Sequence, residues 1–412
     1  MFRQFVSPYK AGLSLFRLAN QRLFASTMSA APQLYTIKDL TEDQKDLIKA
    51  SVPILELSGV ELTKTFYNYM LNTYPEVKPF FNETNQVTLK QPRVLAFALL
   101  NYAKNIDDLT PLTDFVNQIV IKHVGLQIKA EHYPYVGNSL ITTMGNLLGE
   151  KIATPEFVEA WSTAYGNLAQ ILINAEWSQY QNQDWQGFRD FKVTKLEDEG
   201  SEVKSVYFTP ADGGKIATPV HGQYLGFRFS PPGSTFEKSR EYSISQFPEN
   251  NEYRISVRKL DGGVVSTFVH DQLKVGDIIK VCPPTGRFLY QENDKDVVAF
   301  AGGIGITPIV PIISKALDDG KKVTLLYSNR SADSRAFGDY FGKLQKENPN
   351  FTLKEYLSTE KKLEAGDFEG LDLASKEVYM LGPIDYMKFV RPELEKNGVA
   401  KINSEYFGPT DV

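Results

Sequence analysis

"DVVAFAGGIGITPIVPIISKALDDG", residues 296–320, is the stretch of sequence that decides the fold of the last third of the chain. An apolar run is followed by glycines and then by apolar residues at helical spacing, which predicts a buried strand, a turn and a helix. Gly302, Gly303 and Gly305 lie at the turn, where they let the backbone approach a pyrophosphate bound at the helix N-terminus. Because the motif is not a complete G-x-G-x-x-G, a plain strand-to-helix turn is the alternative interpretation.

Strands and helices continue to alternate beyond this stretch. "KKVTLLYSN" predicts a second strand, residues 332–348 have a helical pattern, and "EVYMLGP" predicts a later strand. This order predicts a parallel, doubly wound α/β domain. Arg330 and Arg335 follow the second strand, where the adenosine ribose lies in such folds, so either can meet the 2′-phosphate of NADPH, and both NADH and NADPH stay open.

The period changes in the middle of the chain. Between residues 188 and 285, six short apolar runs are mostly bounded by Gly, Pro, Asp or Asn, which predicts a small antiparallel sheet or barrel. "REYS", residues 240–243, lies between two of these runs. An arginine can neutralise a diphosphate, a tyrosine ring can lie against a flat heterocycle and a serine hydroxyl can donate to a ring nitrogen, but four residues alone are not specific.

The first half of the chain is helical in pattern, from Leu40 to about Gln183. Thr41 and Gln44 have the spacing of a capping box at its start. His123 and His132 lie within this block, and a lone histidine in a helical protein is more often structural than a metal ligand.

Composition narrows the classes of function. The 412 residues carry a formal net charge of −5, without a basic stripe interleaved with aromatics, so a nucleic-acid partner is not expected. The single cysteine, Cys282, excludes an intrachain disulfide and any cysteine-based cluster, and its apolar surroundings predict a buried strand residue. Apolar runs stay below the roughly 18 residues that a membrane span requires, so no integral membrane contact is expected.

Residues 1–30 differ from the rest of the chain. They contain Arg3, Lys10, Arg17 and Arg22, and no acidic residue occurs before Asp39. This composition is typical of a mitochondrial transit peptide, and a tail of chance composition is the alternative. A second start at the Met of position 28 would give a cytoplasmic form without the leader.

Two resemblances extend this interpretation. "REYS", together with "GQYLGF" before it, "GGVVST" after it, the glycine turn and the final "EYFGP", resembles flavoproteins of the ferredoxin-reductase type. The helical block resembles the globin domain of flavohaemoglobins through its ordered segments "LTKTFYNYM", "VKPFFNETNQ", "QPRVLAFALLNYAKNID", "VIKHVGLQI" and "YGNLAQILINAEW". The combined resemblance to flavohaemoglobins covers about residues 38–412.

The flavohaemoglobin resemblance implies a multidomain α, β and α/β protein. An all-α globin domain (38–183) would precede an antiparallel β-barrel FAD domain (186–291) and a doubly wound α/β NAD(P)-binding domain (293–412). The implied cofactors are haem b, FAD and NADH or NADPH, and the implied activity is that of a nitric oxide dioxygenase that detoxifies NO by converting NO and O₂ to nitrate. The alternatives are a general NAD(P)H-dependent flavin, haem or hydroperoxide reductase and a globin-based O₂ or NO sensor. A monomer that binds only small molecules is expected.

The same resemblance implies the residues of the haem site. His123 would hold the iron, and Tyr133 and Glu176 would form a hydrogen-bonded relay with it, leaving His132 at the surface. Tyr67 would donate to bound O₂. The other residues implied at the haem are Phe81, Gln91 and Leu95. Pro92 is acceptable in the first turn of a helix, but it restricts Gln91 toward extended backbone, which favours Tyr67 over Gln91 as the distal donor.

In the reductase part, the resemblance implies FAD-binding by Tyr224, Arg240, Glu241, Tyr242 and Ser243, with Tyr406, Phe407, Gly408 and Pro409 closing over the flavin. The dinucleotide would be held by Gly303, Ile304, Gly305, Ile306, Thr307 and Pro308. Lys122 and Glu405 match residues between haem and flavin that tune their potentials. Two positions depart from the family pattern: Leu381 replaces a cysteine near the nicotinamide, and His221 replaces a proline near the flavin.

Overall fold

The structure, a computed structural model, describes residues 30–407. The leader predicted for residues 1–30 therefore lies almost wholly outside the described residues, as do Gly408 and Pro409. The described residues form two compact units. The first consists of the residues up to Val124 together with Ile128–Asn182, and the second of Gly125–Gln127 together with the chain from Gln183.

The first unit is helical, as predicted. Its helices are α1 (Glu42–Ala50), α2 (Val52–Thr73), α3 (Glu83–Val87), α4 (Lys90–Lys104), α5 (Thr113–Leu126), α6 (Tyr133–Leu148) and α7 (Pro155–Tyr180). The capping box is present: the Thr41 hydroxyl accepts from the Gln44 N–H at 3.2 Å, and the Gln44 side chain accepts from the Thr41 N–H at 3.1 Å. Phe66, Met70 and Trp161 lie in the apolar core between the helices.

The segment before α1 is held against α7 by two buried amide side chains. Gln170 accepts from the Tyr35 N–H at 3.0 Å and donates to the Pro32 carbonyl at 2.9 Å. Asn167 accepts from the Lys38 N–H at 2.9 Å and donates to the Lys38 carbonyl at 2.7 Å. Both amides are almost completely buried, so these bonds satisfy polar atoms that water cannot reach; Gln170 also donates to the Asn174 side chain at 2.9 Å.

The second unit begins with a closed antiparallel barrel, which confirms the predicted class. Its strands run in the order β1-β2-β5-β4-β3-β6, and Phe191, Phe208, Phe227 and Tyr253 fill its interior. The bounds are β1 (Arg189–Asp198), β2 (Val203–Pro210), β3 (Tyr224–Phe229), β4 (Lys238–Glu249), β5 (Glu252–Arg258), α8 (Val264–Asp271) and β6 (Ile278–Val281).

A parallel five-stranded sheet completes this unit, again as predicted. Its elements are β7 (Val297–Gly302), α9 (Ile309–Asp318), β8 (Val323–Asn329), α10 (Gly338–Glu347), β9 (Phe351–Leu357), β10 (Glu377–Leu381), α11 (Ile384–Lys396) and β11 (Ile402–Ser404). The strand order is β11-β10-β7-β8-β9, and every pair is parallel. The chain moves outward from β7 in one direction and later returns to its other side, so the topological switch point lies between β7 and β10.

One predicted helix is shorter than its pattern. The helical pattern of residues 332–348 gives a helix only from Gly338. Residues 332–337 form a turn instead. The Ser331 N–H donates to the Ser334 hydroxyl at 3.2 Å, and Phe337 has left-handed backbone. Local serine bonds of this kind compete with helix formation.

The single cysteine lies in the interior of the second unit. Cys282 directly follows β6 and is fully buried, and burial raises the pKa of its thiol to about 12. Within residues 30–407, none of the helices combines the length and apolar character needed to cross a bilayer.

Candidate functional site

His123, Tyr133 and Glu176 form one hydrogen-bonded group contributed by three helices. The Nδ1 atom of His123, on α5, lies 2.7 Å from the Oε1 atom of Glu176, on α7. The hydroxyl of Tyr133, on α6, donates to the same oxygen at 2.6 Å and lies 3.2 Å from the His123 Nδ1 atom. The structure therefore brings the three side chains of the predicted relay together.

This arrangement leaves the other ring nitrogen of His123 for a metal. The Glu176 carboxylate is 2% exposed and accepts hydrogen bonds, so Nδ1 carries the proton and Nε2 keeps its lone pair. The His123 side chain is 30% exposed, so the ring is accessible although its carboxylate partner is buried. Burial and then the Glu176 charge raise the pKa of Tyr133 far above its ordinary value, which keeps the phenol a donor.

The backbone of Tyr133 is fixed by a residue for which the sequence analysis proposed no role. Tyr165, on α7, donates its hydroxyl to the Tyr133 carbonyl at 2.6 Å. This contact requires Gly137 on α6, because a Cβ there would lie 2.5 Å from the Tyr165 ring. Tyr165 begins the quoted segment "YGNLAQILINAEW", and that position was the only signal for it.

Tyr67, Phe81 and Leu95 pack in one apolar cluster. The ring of Tyr67, on α2, is 5.6 Å from the ring of Phe81 between centroids and is 7% exposed. Burial raises the Tyr67 pKa, so its hydroxyl remains protonated. This hydroxyl makes no hydrogen bond to another residue of the described part of the chain, which leaves it available as a donor to a ligand.

Gln91 and Pro92 lie in the first turn of α4, the place in a helix where a proline is acceptable. Gln91 has helical backbone there, so the restriction toward extended backbone does not hold. The left-handed backbone of Leu89 starts the helix one residue earlier, and a proline within a first turn costs no hydrogen bond. The Gln91 side-chain oxygen accepts from Gln86 at 2.8 Å, so its NH₂ group is the part left for a ligand.

His132 is partly exposed. Its Nδ1 atom accepts from the Lys129 N–H at 3.0 Å, and its ring packs on Phe80 at 4.5 Å between centroids. These contacts give His132 a structural role in the turn before α6.

The residues predicted to hold a flavin lie on two paired strands of the barrel. In the register of β3 and β4, Tyr224 pairs with Ser243 and Leu225 with Tyr242. Residues of one strand alternate between faces, so Tyr224 and Ser243 share one face and Tyr242 the other. Glu241 lies on the face of Ser243, and Arg240 on that of Tyr242. Burial raises the pKa of Tyr242 to about 12, so its ring is a neutral, largely apolar surface.

The other residues predicted near the flavin are Glu405, Tyr406 and Phe407 in the second unit and Lys122 in the first. Glu405, Tyr406 and Phe407 directly follow β11, and the Phe407 side chain is 45% exposed. Lys122 precedes His123 on α5. The role predicted for Lys122 and Glu405 stays a prediction.

The glycine turn after β7 is packed too tightly for side chains. A Cβ at Gly305 would lie 2.4 Å from the Leu381 carbonyl oxygen, and a Cβ at Gly302 would lie 2.9 Å from the Tyr386 ring. Gly303 has a φ of 52°, which favours glycine. The turn therefore meets the carboxyl end of β10 at the switch point. Ile304 and Ile306 lie in the turn, and Thr307 and Pro308 lead into α9.

Leu381 and His221, the two positions that depart from the family pattern, both pack against neighbouring side chains. The Leu381 side chain is completely buried in the core beneath the sheet. His221 stacks on Phe247 at 4.0 Å between centroids, and burial, followed by the charge of Lys315, lowers its pKa. His221 is therefore a neutral ring at neutral pH.

Three family models match consecutive parts of the chain. A globin model matches residues 64–172, an oxidoreductase FAD-binding domain matches residues 190–290, and an oxidoreductase NAD-binding domain matches residues 300–391.

Relatives and solved structures match nearly the whole chain. A flavohemoprotein of Schizosaccharomyces pombe is 53% identical, over 91% of this chain and 93% of its own length. One of Candida albicans is 51% identical, over 92% and 99% respectively. The crystal structure of flavohemoglobin from Malassezia yamatoensis with bound FAD and heme has a TM-score of 0.81 at 23% identity, covering 90% of this chain and 100% of that one. The flavohem-like FAD/NAD binding domain of nitric oxide dioxygenase from Vibrio cholerae has a TM-score of 0.51 at 32% identity, covering 54% and 99%.

We expect Gly137→Ala to destabilise the helical unit by about 1–3 kcal/mol, because the new methyl group overpacks the Tyr165 ring. Far-ultraviolet circular dichroism during urea unfolding measures this change. The matched control is Gly145→Ala on the same helix, where nothing lies within 4 Å of the new Cβ. That change should stabilise by up to about 1 kcal/mol, and equal destabilisation by both variants would contradict the packing argument.

Proposed function

The chain belongs to the flavohaemoprotein family, and on that premise we propose that it is an NAD(P)H-dependent nitric oxide dioxygenase, which converts NO and O₂ to nitrate. The observation that carries the proposal is the hydrogen-bonded group of His123, Tyr133 and Glu176 in a chain that also has a flavin and dinucleotide unit. A carboxylate behind the imidazole makes the histidine more basic, which suits O₂ activation better than O₂ storage. An attached reductase unit argues against a passive sensor.

The residues of each site fit the cofactors that the family implies. His123 would hold haem b through Nε2, the paired strands β3 and β4, which carry Tyr224, Arg240, Tyr242 and Ser243, would bind FAD, and the glycine turn would bind NADH or NADPH. When bound, FAD accepts a hydride and releases its electrons singly, and haem binds and activates O₂. Within residues 30–407, neither His123 Nε2 nor the Tyr67 hydroxyl is hydrogen-bonded to another residue.

The protein's own groups then have separate tasks. Glu176 and Tyr133 fix the orientation and tautomer of His123. Tyr67 would donate a hydrogen bond to a ligand from a buried position, where such a bond is stronger than in water. Phe66 and Phe81 pack against the Tyr67 ring, and Leu95 lies in the same apolar cluster.

The direct test is NO consumption by the purified chain, loaded with haem and FAD. We expect consumption that requires both O₂ and NADH or NADPH and yields nitrate. NADH-dependent reduction of ferricyanide or hydroperoxides without NO consumption would instead support the general reductase.

We expect Tyr67→Phe to lower the rate of NO consumption about tenfold or more, because one buried hydrogen bond to a polarised ligand is lost. The fold should be unaffected, since the hydroxyl has no protein partner in the described range. Tyr69→Phe on the same helix removes an exposed hydroxyl and is the control. An unchanged rate in Tyr67→Phe would remove Tyr67 as the distal donor.

We expect Glu176→Gln to lower NO turnover by about ten- to a hundredfold, because a neutral amide supports the His123 imidazole less than a carboxylate does. The resonance Raman band of the iron–histidine bond should shift to lower frequency. Glu159→Gln, an exposed position on the same helix, should change neither quantity. Slower NO turnover without a shift of the iron–histidine band would contradict the role of Glu176 as the hydrogen-bond partner of His123.

We also propose that residues 1–30 direct the chain to the mitochondrial matrix and that a start at the Met of position 28 gives a cytoplasmic form. The basic, acid-free composition of the leader supports this proposal. Residues 1–30 fused to a fluorescent protein should localise to mitochondria. The same fusion with Arg3, Lys10, Arg17 and Arg22 changed to Gln should not, and equal distribution of both fusions would refute the leader.

We propose further that the protein is a monomer that binds only small molecules. Sedimentation equilibrium should give the mass of one chain.

A further inference from the structure

Two arginines of the second unit converge on one carboxylate. Glu202, which immediately precedes β2, accepts from the Arg258 Nε–H at 3.0 Å through one oxygen and pairs with Arg330 through the other. The Glu202 and Arg258 side chains are each 29% exposed, whereas that of Arg330 is 65% exposed. Burial acts to raise the pKa of Glu202, but the two arginines outweigh it and hold the pKa below its ordinary value, so the group is charged at neutral pH.

Arg258 lies beside the glycine turn. It ends β5 in the barrel, and one of its guanidinium nitrogens is 3.9 Å from the position of a Cβ at Gly303. No other heavy atom of the described chain, apart from the residues adjoining Gly303, lies within 4 Å of that position. A phosphate that approaches the turn therefore meets Arg258, and every nicotinamide dinucleotide carries the pyrophosphate that this contact requires.

Arg330 lies where the two nicotinamide cofactors differ. It follows β8, the parallel neighbour of β7, and in this fold the ribose of the adenosine lies beyond the end of that strand. The loop that begins at Arg330 is fixed to the barrel, because the Ser201 N–H and hydroxyl donate to the Asp333 carbonyl at 2.8 and 3.0 Å.

The other arginine of this loop is already held. Arg335 pairs with both oxygens of Glu355 at 2.6 Å and is 24% exposed. Arg330 is therefore the more accessible of the two side chains that can meet a 2′-phosphate.

We propose that Glu202 is the residue that sets cofactor specificity, by holding Arg330 in an ion pair and placing a negative charge near the 2′ position, so that NADH is favoured over NADPH. A 2′-phosphate must displace a carboxylate that is already paired, and it also meets the charge of that carboxylate. NADH needs only the contact with Arg258. The inference rests on the proposed function to the extent that this unit oxidises NADH or NADPH.

The test uses the full chain loaded with haem and FAD and two probes, 5′-AMP and 2′,5′-ADP (adenosine 2′,5′-bisphosphate), which share one 5′-phosphate and differ only in the 2′-phosphate. Their binding is measured by calorimetry and requires no electron transfer. Glu202→Gln should raise the affinity for 2′,5′-ADP relative to 5′-AMP about tenfold, as expected when one charged hydrogen bond is gained. Adding Arg330→Ala to Glu202→Gln should abolish the gain. Arg258→Ala should lower the affinity for both probes by the same factor.

Asp271→Asn is the matched control, since it breaks the more exposed Lys259–Asp271 pair, at 2.7 Å, next to Arg258 in the sequence. It should leave the ratio of affinities unchanged. Equal weakening of both probes by Glu202→Gln, or an unchanged ratio, would show that Glu202 only joins the barrel to the loop and would overturn the inference.

Kinetics separate this inference from the dioxygenase proposal. The ratio of kcat/KM for NADPH over NADH, with ferricyanide as electron acceptor, should rise in Glu202→Gln by the same factor as the binding ratio. A raised ratio in a chain that does not consume NO would leave the inference standing while the dioxygenase proposal fails. Failure of the wild-type chain to bind either probe would overturn the inference.

Discussion

The arrangement of the helical unit depends on the buried carboxylate of Glu176. A charge removed from water is costly unless it is paired and hydrogen-bonded, and this one has partners on two other helices, His123 and Tyr133. Three helices must therefore meet in one register. A slip of α7 by a single turn would move the Glu176 oxygen atoms by about 5.4 Å and break the bonds of this carboxylate to His123 and Tyr133, which would keep only their mutual contact at 3.2 Å. The close contact at Gly137 serves the same arrangement, because it lets α6 and α7 approach.

In the second unit, the close approach of two backbone segments determines the arrangement in the same way. The ends of β7 and β10 come together only because Gly302 and Gly305 lack side chains. This contact lies at the switch point, and Arg258 of the barrel lies beside the same turn. On the proposed function, a dinucleotide would therefore meet backbone from the sheet and charged side chains, Arg258 and Glu202, from the barrel.

The sequence predicted what depends on local pattern and on ordered motifs. The capping box at Thr41, the barrel, the glycine turn and the alternation of β7, α9 and β8 follow from neighbouring residues, and the structure has all of them. The contacts between distant positions were not predictable in this way: Glu202 and Arg330 are 128 residues apart in sequence. The Gly137–Tyr165 contact was missed for the same reason, since neither residue is unusual in its own helix. For Gln91 the sequence left two local tendencies open, the tolerance of a first helical turn for proline and the preference for extended backbone before it, and the structure has the first.

The two amides of α7 that bind the segment before α1 limit how the N-terminus can be trimmed. Asn167 and Gln170 lie on the helix that carries Glu176, and their partners begin at Pro32. Removal of residues 32–38 would leave Gln170 only its bond to the Asn174 side chain, would take away the Lys38 backbone from Asn167, and would remove the Tyr35 ring from its contact with Tyr165, 6.0 Å away between centroids. Residues before Pro32 take no part in these bonds. Any form of the chain that starts before Pro32, at Met1 or at Met28 for example, therefore keeps the support of the helix that carries Glu176.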